Sequence, residues 1–400
     1  MIARLLSGAA VLIVAGATAV ATPAAQTGIA TQLTEALKVP GVQLGRTAAY
    51  AIDLSNGRVI YAHNATRPVV PASNEKLPVA WAALTRLGPD FRFHTDVVGS
   101  GTRKGAVWRG NLVLKGYGDP TLAGRDIESL ARTIAARGLR RVQGRVLGDE
   151  SFFDARRDAP GWKRGFLGLE SPPLSALVLD RAAGWPKHSP PLLAAEALVD
   201  ALARRKVVVT GRVGAGVAPA DGQVLAHDES APLVEVVRFL DRHSDNFTAE
   251  MLAKQLGTVD GGRGTTAGGL SVVTAELEKA GIPTAGIVLA DGSGLSSLDR
   301  LTARTLAGTL AAGLADPRIA PAFVGSLAVA GGDGTLERRL TPLGARVKGK
   351  TGTTDLSCSL SGLVDKRIAF VVIQNGNPVS AWAARSAQDR FVTVLAAHSG

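Results

Sequence analysis

The sequence predicts an α+β protein: a main domain of helices on an antiparallel sheet, interrupted by a mostly β insert. Three observations predict it. Residues 41–62 and 346–376 alternate around turns, as hairpin and meander strands do. Residues from 232 onward carry apolar side chains at helical spacing, as in Leu233, Val236, Val237 and Leu240. Between them, residues 93–150 are dense in short β-like pieces such as GNLVLKG and RVQGRVLGD.

In chain order, the first hairpin turns at Ser55-Asn56-Gly57, and Pro71-Ala-Ser-Asn-Glu-Lys-Leu77 then leads into a helix ending near Leu87. The insert holds one helix near 126–137, an irregular proline-rich stretch over 151–191, a helix over 192–205 and a strand in VVVTGRV. Helices follow near 247–257, 265–280 and 302–314. The meander RVKGKTGTT, SCSLSGLV and IAFVVIQNG precedes a last helix over 380–397. The expected division is residues 1–25 as an export segment, 26–92 and 223–400 as one split domain, and 93–222 as the insert.

Composition excludes several classes. With 46% hydrophobic and 20% charged residues among 400, the chain is neither disordered nor a polytopic membrane protein. Its one cysteine, Cys358, rules out an intrachain disulfide and reads as a packed core residue. Met1-Ile-Ala-Arg4 is a short basic start, and Leu5 to Ala25 carries no charge, with small-residue cleavage sites at Ala19-Val-Ala21 or Pro23-Ala-Ala25. This is the pattern of an export signal and an extracytoplasmic protein. The run is nearly bilayer-length, so an uncleaved membrane anchor is the alternative. The net charge is +11, and the insert, with 20 Lys/Arg against 13 Asp/Glu, carries +7 of it. Aromatics are 4% and none is interleaved with basic runs, which argues against nucleic acid and favours an anionic wall polymer.

Three short patterns carry chemistry: Ser73-Asn-Glu-Lys76, Ser244-Asp-Asn246 and Lys350-Thr-Gly352, each occurring once. Ser73 at a helix start places Lys76 one turn on, on the same face. Serine is a poor nucleophile until a base takes its proton, and a lysine is that base only when neutral, through burial or a nearby cation such as Lys350. The Ser73 N–H at the helix start is a natural oxyanion donor. The K-T-G strand offers main-chain pairing to an extended peptide, with Gly352 permitting close approach. Lys350, Thr351 and Thr353 suit a carboxylate, Ser244 a proton relay and Asn246 a substrate amide. His63, His94, His188, His227, His243 and His398 form no metal-ligand spacing, and no cofactor is expected.

At these residues the sequence resembles the D-alanyl-D-alanine carboxypeptidases of the penicillin-binding protein 4 type. The likeness extends to GNLVLKGYGDPTL, to Asp149-Glu-Ser-Phe-Phe-Asp154, to HSDNFTAEML, and to Asp291-Gly-Ser-Gly-Leu-Ser296 followed by Arg300-Leu-Thr302. The resemblance implies a DD-peptidase/serine β-lactamase-like fold. It implies Ser73 as acylated nucleophile, Lys76 as its base, Ser244 and Asn246 as the second motif, and Lys350, Thr351 and Thr353 on the terminal carboxylate. The N–H groups of Ser73 and Thr353 would form the oxyanion hole, and Asp149 would help read the diaminopimelate side chain. Substrates would be peptidoglycan stem peptides, with β-lactams as covalent inhibitors and no metal. Ser297 stands where many members carry Arg, Asp299 replaces a usual Asn, and Pro78 bends the nucleophile helix or confines it to a tight first turn. A serine β-lactamase and a non-catalytic wall-binding module are the competing readings.

Overall fold

The computed structural model describes residues 23–399, so the expected export segment lies almost wholly outside the described residues. Helix α1 (Pro23–Leu37) precedes strands β1 (Thr47–Asp53) and β2 (Arg58–His63) and helix α2 (Lys76–Leu87). A second unit follows with β3 (His94–Lys104), β4 (Val107–Gly116), α3 (Gly124–Ala136), β5 (Arg141–Gln143) and β6 (Val146–Asp149). It continues through the short α4 (Phe166–Leu169), α5 (Pro190–Arg204), β7 (Val208–Val209), β8 (Val213–Ala215) and β9 (Gln223–Glu229). The chain then returns to the first unit with α6 (Leu233–His243), α7 (Asn246–Leu256), α8 (Thr266–Lys279), α9 (Ala303–Ala315), α10 (Ala320–Ser326) and β10 (Ala328–Val329). It ends with β11 (Val347–Thr353), β12 (Ser357–Val364), β13 (Ile368–Asn375) and α11 (Ala381–His398).

The first sheet has the order β10-β11-β12-β13-β1-β2, all antiparallel, so the opening hairpin pairs with the last strand of the chain. Its central strands β12, β13 and β1 are buried on both faces. In β13, Ala369, Val371 and Ile373 face a helical layer built from α2 and α6–α10, while Phe370 and Val372 face α1 and α11. The two-residue period of a strand therefore feeds two cores at once. The second sheet, β7-β5-β4-β3-β9 with β6 and β8 branching from β4, is covered by α3 and α5 over a core that includes Trp108, Leu112 and Leu198.

Three features differ from the sequence expectation. Strand β9 pairs with β3 from Gln223↔Gly99 to Glu229↔His94, so the second unit runs to Glu229 and not to 222. Residues 151–191 do not belong to that unit alone: Phe153, Leu174, Ala176 and Val178 pack with Phe247 and Met251 of α7. Helices α1 and α10 had no counterpart in the sequence reading. Pro78 is confined as expected, as the third residue of α2, where a missing N–H costs no helical bond.

Helix α7 crosses α8 at a glycine. A Cβ on Gly269 would lie 1.6 Å from the Ala253 carbonyl oxygen, so no larger residue fits without parting the helices. Gly269→Val is expected to cost about 1–3 kcal/mol or more, read as a lowered midpoint in urea unfolding. An unchanged midpoint would mean that α7 is not held at this crossing.

Candidate active site

The segment Val70–Glu75 ends one edge of the hairpin and starts α2. Its turn, Ala72–Glu75, is 3-10, and Ala72 has φ +49°. That backbone is strained for a residue with a Cβ and needs support. Strand β12 provides it. Ser357 Oγ donates to Val70 O (2.6 Å), Ser359 Oγ donates to Pro71 O (2.7 Å), and Ser361 Oγ donates to Asn74 Oδ1. Asn74 Nδ2 donates in turn to Lys350 O at 2.9 Å. Three serines at two-residue spacing in an otherwise apolar, buried strand thus hold the turn that presents Ser73.

Lys76 is fully buried. Its Nζ donates to Ser73 Oγ (3.0 Å), Asn246 Oδ1 (2.8 Å) and Ser293 O (2.5 Å). Burial depresses its pKa to about 8, against the pull of Asp291, Glu250, Asp245 and Asp241. Burial, rather than a neighbouring cation, is therefore what favours the neutral amine. Lys350 is also fully buried; its Nζ donates to Ser244 Oγ (2.7 Å) and Thr351 O (2.9 Å). Burial, then Lys76, holds its pKa well below the usual lysine range. Between α6 and α7, Ser244 adopts φ +55° and Asp245 caps α7 by accepting from Thr248 N at 2.8 Å. That sharp corner aims Ser244 and Asn246 at the two lysines.

The three motifs thus meet, and Ser73, Ser244, Asn246, Thr351, Gly352 and Thr353 line one cleft of about 530 Å³. The K-T-G residues lie towards the end of β11, and β10 pairs with this strand only at Lys348 and Gly349. The edge beyond is open to an extended chain. Gly352 has a structural reason besides the expected one. A Cβ there would lie 2.4 Å from Ser359 Oγ and 2.7 Å from Ser73 N, so the glycine lets the strand meet the nucleophile turn. The same approach sets the Ser73 amide beside the strand that carries Thr353.

Asp149 is a correction. It ends β6, fully buried, with Oδ1 accepting from Ser151 N and Oδ2 from Ala218 N, each at 2.8 Å. Backbone amides consume its carboxylate, and it does not line the cleft.

Several site residues escaped the sequence reading. Arg338, Arg339 and Arg385 line the cleft, and Arg385 Nη2 donates to Thr353 Oγ1 at 3.4 Å. Behind Lys76 lies a buried set of acids. Asp291 accepts from Ser293 Oγ (3.0 Å) and from the amides of Gly294 (2.6 Å) and Ser296 (2.8 Å), as well as from Trp162 Nε1 (2.8 Å). Burial and its acidic neighbours push Glu75 well above the carboxylate range, Glu250 up to about 8 and Asp299 up to about 11. Asp299 therefore stands as a neutral acid where its Oδ1 accepts from Ala290 N at 2.7 Å. Asp299 was marked in the sequence only as a departure from a usual Asn; Glu75, Glu250 and Asp291 lay within the family-like segments with nothing local to mark them. Asp241, also buried, accepts from Ser326 Oγ at 2.5 Å and is pushed up to about 6.

The D-Ala-D-Ala carboxypeptidase 3 (S13) family matches this chain over residues 29–190 and 183–398. The chain belongs to that family. The D-alanyl-D-alanine carboxypeptidase of Actinomadura sp. (strain R39) is 30% identical over 91% of this chain and 84% of the relative. Carboxypeptidase DacB of Mycolicibacterium smegmatis is 33% identical over 92% and 84%. Among solved structures, penicillin-binding protein 4 of Haemophilus influenzae superposes with TM-score 0.82 at 21% identity, over 92% of this chain and 99% of that one. A predatory peptidoglycan endopeptidase of Bdellovibrio bacteriovorus gives 0.57 at 17%, over 88% and 92%. Both place this S13 chain in the fold that the motifs implied. As a member, it is a serine-type D-Ala-D-Ala carboxypeptidase.

A raised acid pKa has a defined consequence for stability. Asp299 binds its proton more tightly folded than unfolded, so its contribution is full below the ordinary value of 3.8 and is lost as pH climbs towards about 11. Asp299→Asn keeps the acceptor for Ala290 N and cannot ionise. Urea unfolding is expected to show the variant at least as stable as wild type, with a shallower decline between about pH 5 and pH 9. A variant less stable than wild type at about pH 9 would contradict the neutral acid.

Proposed function

We propose that this family member works outside the cytoplasm as a penicillin-binding DD-peptidase, with Ser73 as nucleophile and Lys76 as its base. One observation carries the reading: a fully buried lysine amine 3.0 Å from the Ser73 hydroxyl, with Asn246 on the same Nζ and the Ser244–Lys350 pair across the cleft. The substrate is the D-Ala-D-Ala end of a peptidoglycan stem peptide, laid along the open edge of β11. Its terminal carboxylate meets Thr351, Thr353, Arg385 and the Lys350 ammonium, which the arriving anion favours over the neutral amine.

Lys76 takes the Ser73 proton as Oγ attacks the penultimate D-Ala carbonyl carbon. The oxyanion sits between the amides of Ser73 and Thr353. The C–N bond breaks, and the leaving amine takes a proton from Ser244 Oγ, which Lys350 replaces. One proton then passes back from Lys76 to Lys350, and neutral Lys76 activates the water that cleaves the ester. The Haemophilus structure in complex with a β-lactam supports a β-lactam as an alternative acyl donor. The predatory endopeptidase neighbours support cleavage of cross-bridges as a second outcome of the same chemistry. The basic start and uncharged run over residues 1–25 support export. Among the described residues no helix is long and apolar enough to cross a membrane.

A fluorescent penicillin is expected to label the wild type covalently and leave Ser73→Ala unlabelled, with wild type alone releasing D-Ala from a defined pentapeptide. Equal labelling of both proteins would overturn the assignment of Ser73. Rapid penicillin turnover with no D-Ala release would support the β-lactamase reading instead.

A further inference from the structure

Asn246 and Glu250 stand four residues apart on α7, hence on one helix face. Asn246 Oδ1 is one acceptor of the Lys76 ammonium or amine, at 2.8 Å. Glu250 reaches the other acceptor at one remove. Its Oε1 accepts from the backbone amides of Gly292 (3.0 Å) and Ser293 (2.9 Å), and the Ser293 carbonyl accepts from Lys76 Nζ at 2.5 Å. Both protein acceptors that fix Nζ opposite Ser73 Oγ are therefore set from a single helix. The bonds of Asp291 to Ser293, Gly294 and Ser296 lie within the 291–296 loop and give it its shape. Those of Glu250 come from outside the loop and give it its place. Glu250 is fully buried, and its Oε2 has no hydrogen-bond partner among the described residues. A buried carboxyl with one idle oxygen is poor economy for packing alone.

We propose that Glu250 is a positioning residue for the acylation step: it seats the 291–294 loop so that the Ser293 carbonyl holds Lys76 Nζ against Ser73 Oγ. This rests on the reading of Ser73 and Lys76 given above. The role asks for an acceptor oxygen at the end of a Glu-length side chain, not for a charge. Glutamine supplies that oxygen. Methionine has the length without it, and aspartate withdraws it by one methylene.

The test follows labelling of the full chain by excess fluorescent penicillin over time. The amplitude reads the fraction of competent protein, and the rate constant reads the geometry at Lys76. Glu250→Gln is expected to label within about threefold of the wild-type rate. Glu250→Met is expected to be slower by about 100-fold, the scale of an ångström's misplacement of a reacting group. A role in folding alone would lower the amplitude and leave the rate constant where it was. Should Glu250→Met not fold, Glu250→Asp takes its place with the same expected slowing. A wild-type rate constant in the Met or Asp variant, or a Gln variant as slow as Met, overturns the proposal. Wild type that never labels overturns the reading of Ser73 and Lys76 instead, so the two failures are distinct.

Discussion

Lys76 is the side chain around which the site is arranged. An amine sealed from water loses the solvation that favours its charge, and this loss brings its pKa to about 8. The burial has to be achieved without leaving the amine idle, so three acceptors surround it: Ser73 Oγ, Asn246 Oδ1 and Ser293 O. Each comes from a different stretch of chain. The nucleophile turn, the corner between α6 and α7, and the 291–296 loop must all be in place before Lys76 is placed. Much of the fold can be understood as the means of bringing these three together.

The first sheet is the fixed wall. Its strand β12 props the nucleophile turn through alternate serines, and β11 lies close enough to Ser73 to require glycine at 352. Helix α7 is the second support. Its N-terminus offers Asn246, its middle Glu250, and its fully buried Lys254 pairs with Asp154, tying in the 151–158 segment. Further along that segment, Trp162 donates to Asp291. The chain between the two sheets is thus part of the wall behind the site, and burial first, then mutual repulsion, raises the pKa values of the acids Glu75, Glu250 and Asp299 behind Lys76.

What could be read from the sequence follows from where the information lies. Covalent chemistry uses few residue types at short fixed spacing, so Ser73, Lys76, Ser244, Asn246 and Lys350 were visible as motifs; Ser73, Ser244 and Asn246 line one cleft, and the two buried lysines bond to them from behind. Strong periodicity made the meander β11–β13 and most helices legible. Properties set by tertiary contact were not. Nothing in the sequence marked the Ser357, Ser359, Ser361 row as the support of Val70–Asn74. Glu250 had no sign of its partners forty residues on. Gly352 was read only as an opening for substrate, and nothing in the sequence showed that its missing Cβ also accommodates Ser73 N and Ser359. Asp149 was carried over from a family string, whereas its carboxylate closes a turn. Strand β9 was assigned to the wrong unit because its partner, β3, lies far back in the chain.

The central claim is that burial alone lowers the Lys76 pKa far enough for a substantial neutral fraction of the amine near physiological pH. Nuclear magnetic resonance titration of lysine-labelled full chain tests it most directly, with the Lys76 signal identified by its loss in Lys76→Met. The account predicts a midpoint of about 8 for this lysine. A Lys76 that stays charged up to the ordinary value of 10.5 would contradict it.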